Sequence, residues 1–340
     1  MIGATRLNPG VGLGNASELA LHSALLGVHI ERLPTYREGM SDDGESVSGA
    51  RWSLKDCKQW IAVPGVGDDK YSRGVLGVVT GSDEYPGAAV LGVEAASRTG
   101  VGMVRYVGDD VPARLVLQHR PETVNAPGRV QAWLLGSGMD AAHRDRANTH
   151  RLHSALEQDV PAVVDAGALD LIGSAAGPVV ITPHYRELAR VLEAHGLPAS
   201  ADEIATDARA WAVRAAEATG ATVLLKGHVT HVAAPGGDPI DVSTGPDAGW
   251  LATAGSGDVL GGILGALVAT HADAIARDGH DALAALAATA AALHGAAAKA
   301  VVGAHNGGPL MALDLAEAMP SVVGRALRGE DPRGRHTSDR

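Results

Sequence analysis

The run Ala254-Gly255-Ser256-Gly257-Asp258 places three small residues and a carboxylate directly ahead of the apolar segment Val259-Leu-Gly-Gly-Ile-Leu-Gly-Ala-Leu267. The first turn of a helix has backbone N–H groups with no partner inside the helix, and the helix dipole adds partial positive charge there. Glycines let a phosphate approach such a backbone closely. A carboxylate inside an anion hole repels the phosphate. Asp258 therefore reads as a base that takes a proton from a hydroxyl attacking phosphorus. The plainer reading is that Ser256 or Asp258 caps the helix, as Ser and Asp commonly do.

Other polar residues fall at the ends of apolar runs: Ser82, Asp165, Thr182, His184 and Lys226. Gly136-Ser137-Gly138 makes a glycine-rich turn. Asp165 suits either a magnesium ion or a cap on 167–171, and Glu187 suits a helix cap or a metal-bound phosphate. No Gly-x-x-x-x-Gly-Lys-Ser/Thr occurs, and no Gly-x-Gly-x-x-Gly opens a helix after a first strand. Neither a Walker-type NTPase nor a dinucleotide-binding dehydrogenase is supported.

Elements must bring these residues together. Continuous apolar runs at 75–80, 103–107, 130–135, 162–165, 179–182 and 222–225 read as buried strands. Helices are expected at 87–99, 141–158, 186–195, 202–219, 258–271, 282–302 and 310–319. The pair 229–234 and 239–243 flanks Pro235-Gly-Gly-Asp238 and reads as a hairpin. Alternating strands and helices mean a mostly parallel sheet covered on both faces. Ligands bind such sheets beyond the carboxyl ends of the strands, where the polar residues above fall.

Length and composition set bounds on this reading. The 340 residues suffice for one large α/β domain or two small ones, and with no Phe the core must be aliphatic. A net charge of −11 argues against a nucleic-acid surface. The single cysteine, Cys57, permits no disulfide within the chain and no Cys-based metal site, so a cytoplasmic location is expected. Residues 1–9 lack the features of a signal peptide. The apolar stretch 259–268 is too short for a membrane span, and 282–302 is interrupted by His294, Gly295 and Lys299. Residues 1–60 form an unassigned extension with a polar, mobile loop at 37–48; the domain is expected over 61–327, with a disordered tail at 328–340.

From about residue 70 to 319 the chain resembles the ADP/ATP-dependent NAD(P)H-hydrate dehydratases, a ribokinase-like family whose members are often fused to an epimerase. Seven segments carry the resemblance in order. They are Ser82-Asp-Glu-Tyr-Pro-Gly-Ala-Ala89, Arg98-Thr-Gly-Val-Gly-Met103, Leu135-Gly-Ser-Gly-Met139, Val163-Val-Asp-Ala-Gly-Ala-Leu169, Ile181-Thr-Pro-His-Tyr-Arg-Glu187, Leu225-Lys-Gly-His-Val-Thr230, and Thr244-Gly with Ala252-Thr-Ala-Gly-Ser-Gly-Asp258. The resemblance implies a three-layer α/β/α sandwich. It assigns Ala88, Ala89, Gly138, His184 and Asp258 to the hydrated dinucleotide. It assigns Lys226, Gly227, His228, Val229, Thr230, Gly255, Ser256 and Gly257 to the adenine nucleotide. Two departures stand out: Gly167 replaces the second Asp of an Asp-Ala-Asp-Ala-Leu pattern, and Tyr185-Arg186 replaces Pro-Gly beside His184. No epimerase module fits in residues 1–60.

The resemblance implies that ADP or ATP, with magnesium, phosphorylates the ring hydroxyl of hydrated NADH or NADPH. Loss of phosphate then restores the nicotinamide. It also implies a homo-oligomer, a tetramer in the family. The residues alone support phosphoryl transfer to an alcohol, with Asp258 as base and the Gly255, Ser256 and Gly257 N–H groups holding the phosphoryl charge. A ribokinase-like kinase of a sugar or vitamin alcohol would use the same base. A nucleotide sensor would gain nothing from a carboxylate facing phosphate.

Overall fold

The computed structural model describes residues 51–330, Thr244 excepted. The expected loop at 37–48 and nearly all of the expected tail lie outside these residues. The strands are β1 (Val75–Val79), β2 (Met103–Tyr106), β3 (Ala132–Leu135), β4 (Ala162–Val164), β5 (Val179–Ile181), β6 (Thr222–Leu225), β7 (Val229–Ala233) and β8 (Ile240–Ser243). They form one sheet in the order β2-β1-β3-β4-β5-β6-β7-β8. Pairings up to β6 are parallel; β6–β7 and β7–β8 are antiparallel, as expected of a hairpin.

The central strands are buried on both faces, and their alternation sorts side chains into two cores. Leu76, Val78, Leu134, Val163, Val180 and Leu224 point to one. Val79, Leu135, Val164, Ile181, Val223 and Leu225 point to the other. Burying each such aliphatic side chain contributes about 1.5–3 kcal/mol. Helices α1 (Pro86–Thr99), α7 (Ser256–Thr270), α9 (His280–Ala304) and α10 (Ala312–Arg328) supply the first core, with α2 (Asp110–His119) against α1. Helices α3 (Arg146–Leu156), α4 (Tyr185–Ala194), α5 (Ala201–Thr206) and α6 (Ala208–Thr219) supply the second. The result is the expected three-layer sandwich.

Several element borders differ from the sequence reading. Helix α3 starts at Arg146 rather than 141, because Asp140 Oδ1 accepts from the Ala142 N–H and holds that stretch in a turn. Asp145 then caps the helix through the Asn148 N–H. The helix expected over 202–219 breaks at Asp207, whose non-helical backbone and cap to the Ala210 N–H start α6 afresh. Helix α2 was not anticipated; its Pro112 lies in the first turn, where a missing N–H costs nothing. Helix α10 runs through Pro320 to Arg328, and α8 (Ala272–Asp278) sits between α7 and α9.

Leu54, Cys57 and Ile61 join the first core, so residues just ahead of the expected border at 61 pack with the domain. Helix α9 is uninterrupted by His294, Gly295 or Lys299. Among the described residues it alone is long and apolar enough to cross a membrane, with mean hydropathy 1.4, but 83% of that window is buried within the protein. Helices α1 and α7 approach closely at two glycines. A Cβ on Gly262 would run into the Gly92 carbonyl. This contact holds the middle of α7 against α1.

Candidate active site

The residues following β1, β3, β4, β5 and β6 meet at the carboxyl edge of the sheet. The Gly81 N–H donates to the Ser137 carbonyl at 2.7 Å, joining two of these turns. Gly136 has φ +93°, and a Cβ there would strike the Asp165 carbonyl. His184 bridges to Lys226 across the ends of β5 and β6.

Asp165 is 3% exposed and fully engaged. Its Oδ2 accepts from Ser137 Oγ at 3.0 Å, and its Oδ1 accepts from Thr182 Oγ1 at 2.8 Å and from Lys226 Nζ at 3.0 Å. It makes no cap to the 3-10 segment that follows, so the expected capping role does not hold. Its role is to orient the lysine. Glu187 Oε2 lies 3.8 Å from the same ammonium. Burial works against the Lys226 charge, but Asp165, Glu187 and Asp258 outweigh it and hold the pKa above the ordinary lysine value.

The N-terminus of α7 has no side-chain cap. Gly255 occupies the cap position with φ +88°, which only glycine adopts readily. Ser256 does not cap either; its Oγ donates to the Leu251 carbonyl at 2.7 Å. Its N–H turns to the Thr253 carbonyl at 3.4 Å, so it is less available to an anion than expected. Asp258 is half-buried in this turn. Burial pushes its carboxyl up to about 7, the Asp165 carboxylate adds to the rise, and Lys226 opposes it. A carboxyl poised there exchanges protons near neutral pH, as a general base requires.

A cavity of about 600 Å³ opens beside this turn. Its lining includes His184, Lys226, Gly227, His228, Thr230, Ser256 and Gly257, seven of the residues singled out from the sequence. Val229, Gly255 and Asp258 do not line it, although Asp258 directly follows Gly257, which does. A Cβ on Gly257 would stand 3.7 Å from Lys226 Nζ, so the lysine faces the first turn of α7. A charged lysine and a helix N-terminus converging on one hollow can hold a phosphate chain.

His184 is the N-cap of α4. Its Nδ1 accepts from the Arg186 and Glu187 N–H groups at 3.1 and 3.3 Å, and Glu187 Oε2 accepts from the His184 N–H. Glu187 thus takes the capping role. An accepting Nδ1 places the ring proton on Nε2. The half-exposed ring stands at the cavity rim.

The residues expected to meet a second substrate lie across α7. Ala88 is 6% exposed and Ala89 fully buried, at the start of α1. A Cβ on Gly138, where φ is +68°, would collide with the Ala88 Cβ. Gly138 and Ala88 therefore pack the turns tightly, and the Ala89 side chain faces the core. A second hollow, of about 190 Å³, opens beside them between Ser82, Tyr85, Met139 and Asn148.

Both departures from the resembling pattern have local causes. A Cβ on Gly167 would lie 2.5 Å from the Met139 carbonyl, leaving no room for a side chain. The Tyr185 ring covers Gly227, so that a Cβ on Gly227 would strike its hydroxyl. Among the described residues, no three His, Cys, Asp or Glu side chains come together to hold a metal. Both oxygens of Asp165 accept hydrogen bonds, from Ser137, Thr182 and Lys226.

A family profile described as NAD(P)H-hydrate dehydratase matches residues 76–321. The chain is 44% identical over 220 residues to the bifunctional NAD(P)H-hydrate repair enzyme Nnr of Mycobacterium tuberculosis, an overlap of 61% of this chain and 43% of the relative. It is 35% identical over 219 residues to the ADP-dependent (S)-NAD(P)H-hydrate dehydratase of Neisseria meningitidis, 59% of this chain and 71% of that one. The chain thus spans less than half the length of its bifunctional relative. In three dimensions it resembles the ADP/ATP-dependent NAD(P)H-hydrate dehydratase of Bacillus subtilis co-crystallized with ATP/Mg2+, with a TM-score of 0.69, 24% identity, and coverage of 83% of this chain and 100% of that one. It shares that fold, and a ribokinase-like superfamily protein of Enterococcus faecalis matches with a TM-score of 0.68.

Proposed function

The chain belongs to the NAD(P)H-hydrate dehydratase family, and from that membership we propose that it returns hydrated NADH and NADPH to NADH and NADPH at the expense of ADP or ATP. The observation that carries the reading is Asp258. Its carboxyl, raised to about 7, sits at an uncapped helix N-terminus beside Lys226 and next to a cavity of nucleotide size.

The ring hydroxyl of the hydrated nicotinamide attacks the terminal phosphorus of the nucleotide while Asp258 takes the hydroxyl proton. The bond from that phosphorus to its bridging oxygen breaks, leaving AMP from ADP or ADP from ATP. Lys226 and the first turn of α7 hold the charge on the phosphates. The ring carbon–oxygen bond then breaks with phosphate as leaving group, and loss of a proton from the adjacent carbon restores the double bond. Magnesium accompanying the nucleotide would add charge neutralisation to that supplied by Lys226 and the first turn of α7. The hydrated dinucleotide lies on the α1 and Gly138 side of Asp258, with His184 at the rim between the two ligands.

Purified protein is incubated with hydrated NADH and magnesium, with ADP or ATP in separate tubes. Recovery of reduced-nicotinamide absorbance that depends on a nucleotide supports the proposal and names the donor. Absence of recovery, together with phosphorylation of a sugar or vitamin alcohol, would identify a kinase instead.

A further inference from the structure

Helix α9 is buried almost all round, and from Ala282 to Val302 most of its residues are Ala, Leu or Val. One imidazole interrupts this surface. His294 is 6% exposed, and its Nε2 is buried without a hydrogen-bond partner. A buried polar atom without a partner is a cost to the folded protein, and natural structures rarely leave one without a purpose. His294 lines the same 600 Å³ cavity as Lys226 and Gly257.

The wall it shares holds the apolar Ala291 and Leu260 as well as the polar Ser256, Thr230 and Lys226. Ala291 lies one turn earlier on the same face of α9, and Leu260 lies one turn beyond Ser256 on α7. The phosphate chain has its own partners, Lys226 and the first turn of α7. Burial pushes the His294 ring down to about 4; the Ser256 backbone draws it up and Lys226 adds to the fall. The ring is therefore neutral near pH 7, with one nitrogen to donate and one to accept. An uncharged ring on a wall that includes Leu260 and Ala291 suits a flat, uncharged group better than a phosphate, which has Lys226 and the α7 turn for partners.

We infer that His294 is a further nucleotide-binding residue, whose Nε2 hydrogen-bonds the nucleoside part of the adenine nucleotide against the wall formed by Leu260 and Ala291. This rests on the reading that the cavity takes an adenine nucleotide.

The test is calorimetric titration of wild type, His294→Leu and His294→Gln with ADP, and with inorganic pyrophosphate as a probe for the phosphate positions. His294→Leu removes the unpaired polar atom, so it melts at or above the wild-type temperature. It binds ADP about tenfold more weakly, the scale of one lost hydrogen bond, with pyrophosphate binding unchanged. His294→Gln keeps a donor and an acceptor and recovers part of the ADP affinity. Unchanged ADP affinity in His294→Leu would overturn the inference. An equal loss for pyrophosphate would overturn it too, by moving the contact to the phosphates. So would a large fall in melting temperature with both variants equally weak, which marks the ring as packing. Wild type that binds no ADP would sink the proposed function itself. Wild type that binds ADP while His294→Leu binds it equally well sinks this inference alone.

Discussion

Lys226 Nζ lies 3.0 Å from Asp165 Oδ1, joining the residue after β6 to the residue after β4 across the end of β5. The cation that faces the cavity is thus held by a carboxylate whose own side chain is 5% exposed. Thr182 and Ser137 satisfy the rest of that carboxylate. The lysine's direction is therefore set by the sheet edge rather than by a mobile stem.

Removing the lysine leaves this buried carboxylate without its counter-charge. Lys226→Met is expected to lower stability by about 2–4 kcal/mol, somewhat below the ~3–5 kcal/mol for breaking a fully buried pair because the lysine is partly wetted. Adding Asp165→Asn is expected to recover more than half of that loss, since the charge left behind disappears. Urea denaturation of the two variants checks this; an additive double variant would disprove the coupling.

Asp258→Asn keeps the fold and the nucleotide but loses the base. A fall of about 10²–10⁴ in kcat is expected, with ADP binding within a few-fold of wild type. Stopped assays for turnover and titration calorimetry for binding give the two numbers. Near-normal turnover would remove Asp258 from the chemistry.

The raised Asp258 pKa fixes the direction of two pH effects. The rate rises with pH through about 7 and levels off above it, because only the carboxylate accepts the proton. Stability runs the other way. The folded state holds the Asp258 proton more tightly than the unfolded chain, so this group costs stability as pH climbs from about 4 to about 7. Asp258→Asn is expected to melt above wild type at pH 8, with the gap closing near pH 4. A gap that widens on acidification contradicts the assignment.

Gly227 and Tyr185 give a test of the second departure. A methyl at 227 meets the Tyr185 hydroxyl and lies 3.1 Å from its Cζ. Gly227→Ala is expected to weaken ADP binding several-fold and cost about 1–3 kcal/mol of stability, the usual scale of overpacking. Tyr185→Phe in the same chain removes the oxygen and is expected to return much of both. Thermal melts and ADP titrations of the single and double variants decide it, and no rescue would mean that the strain lies in the backbone.

Gly262→Ala would press on the Gly92 carbonyl and push α7 from α1. A loss of about 2–3 kcal/mol is expected, with a disproportionate fall in kcat, because the N-terminus of α7 carries Asp258. Comparison of melting temperature with turnover separates the two effects.

The sequence by itself determined the order of the strands and of most helices, α2 and α8 excepted, the parallel sheet ending in a hairpin, and Asp258 and Lys226 as the residues to watch. Continuous apolar runs and glycine turns are local properties, and they survive without knowledge of the partners. Helix borders at Arg146 and Asp207 were less legible, because they depend on which side chain captures an N–H. Only the tertiary structure decided what the candidates do to one another. Asp165 is 61 residues from Lys226 along the chain, and nothing in the sequence says that it orients the lysine rather than caps the turn after it. Gly167 has no room for the expected carboxylate because the Met139 backbone lies against it. His294 reads in the sequence as a flaw in an apolar helix, and folding turns it inward onto the cavity. The carboxyl of Asp258 becomes a base near neutral pH only through its burial and its neighbours, and these are properties of distance through space rather than spacing along the chain.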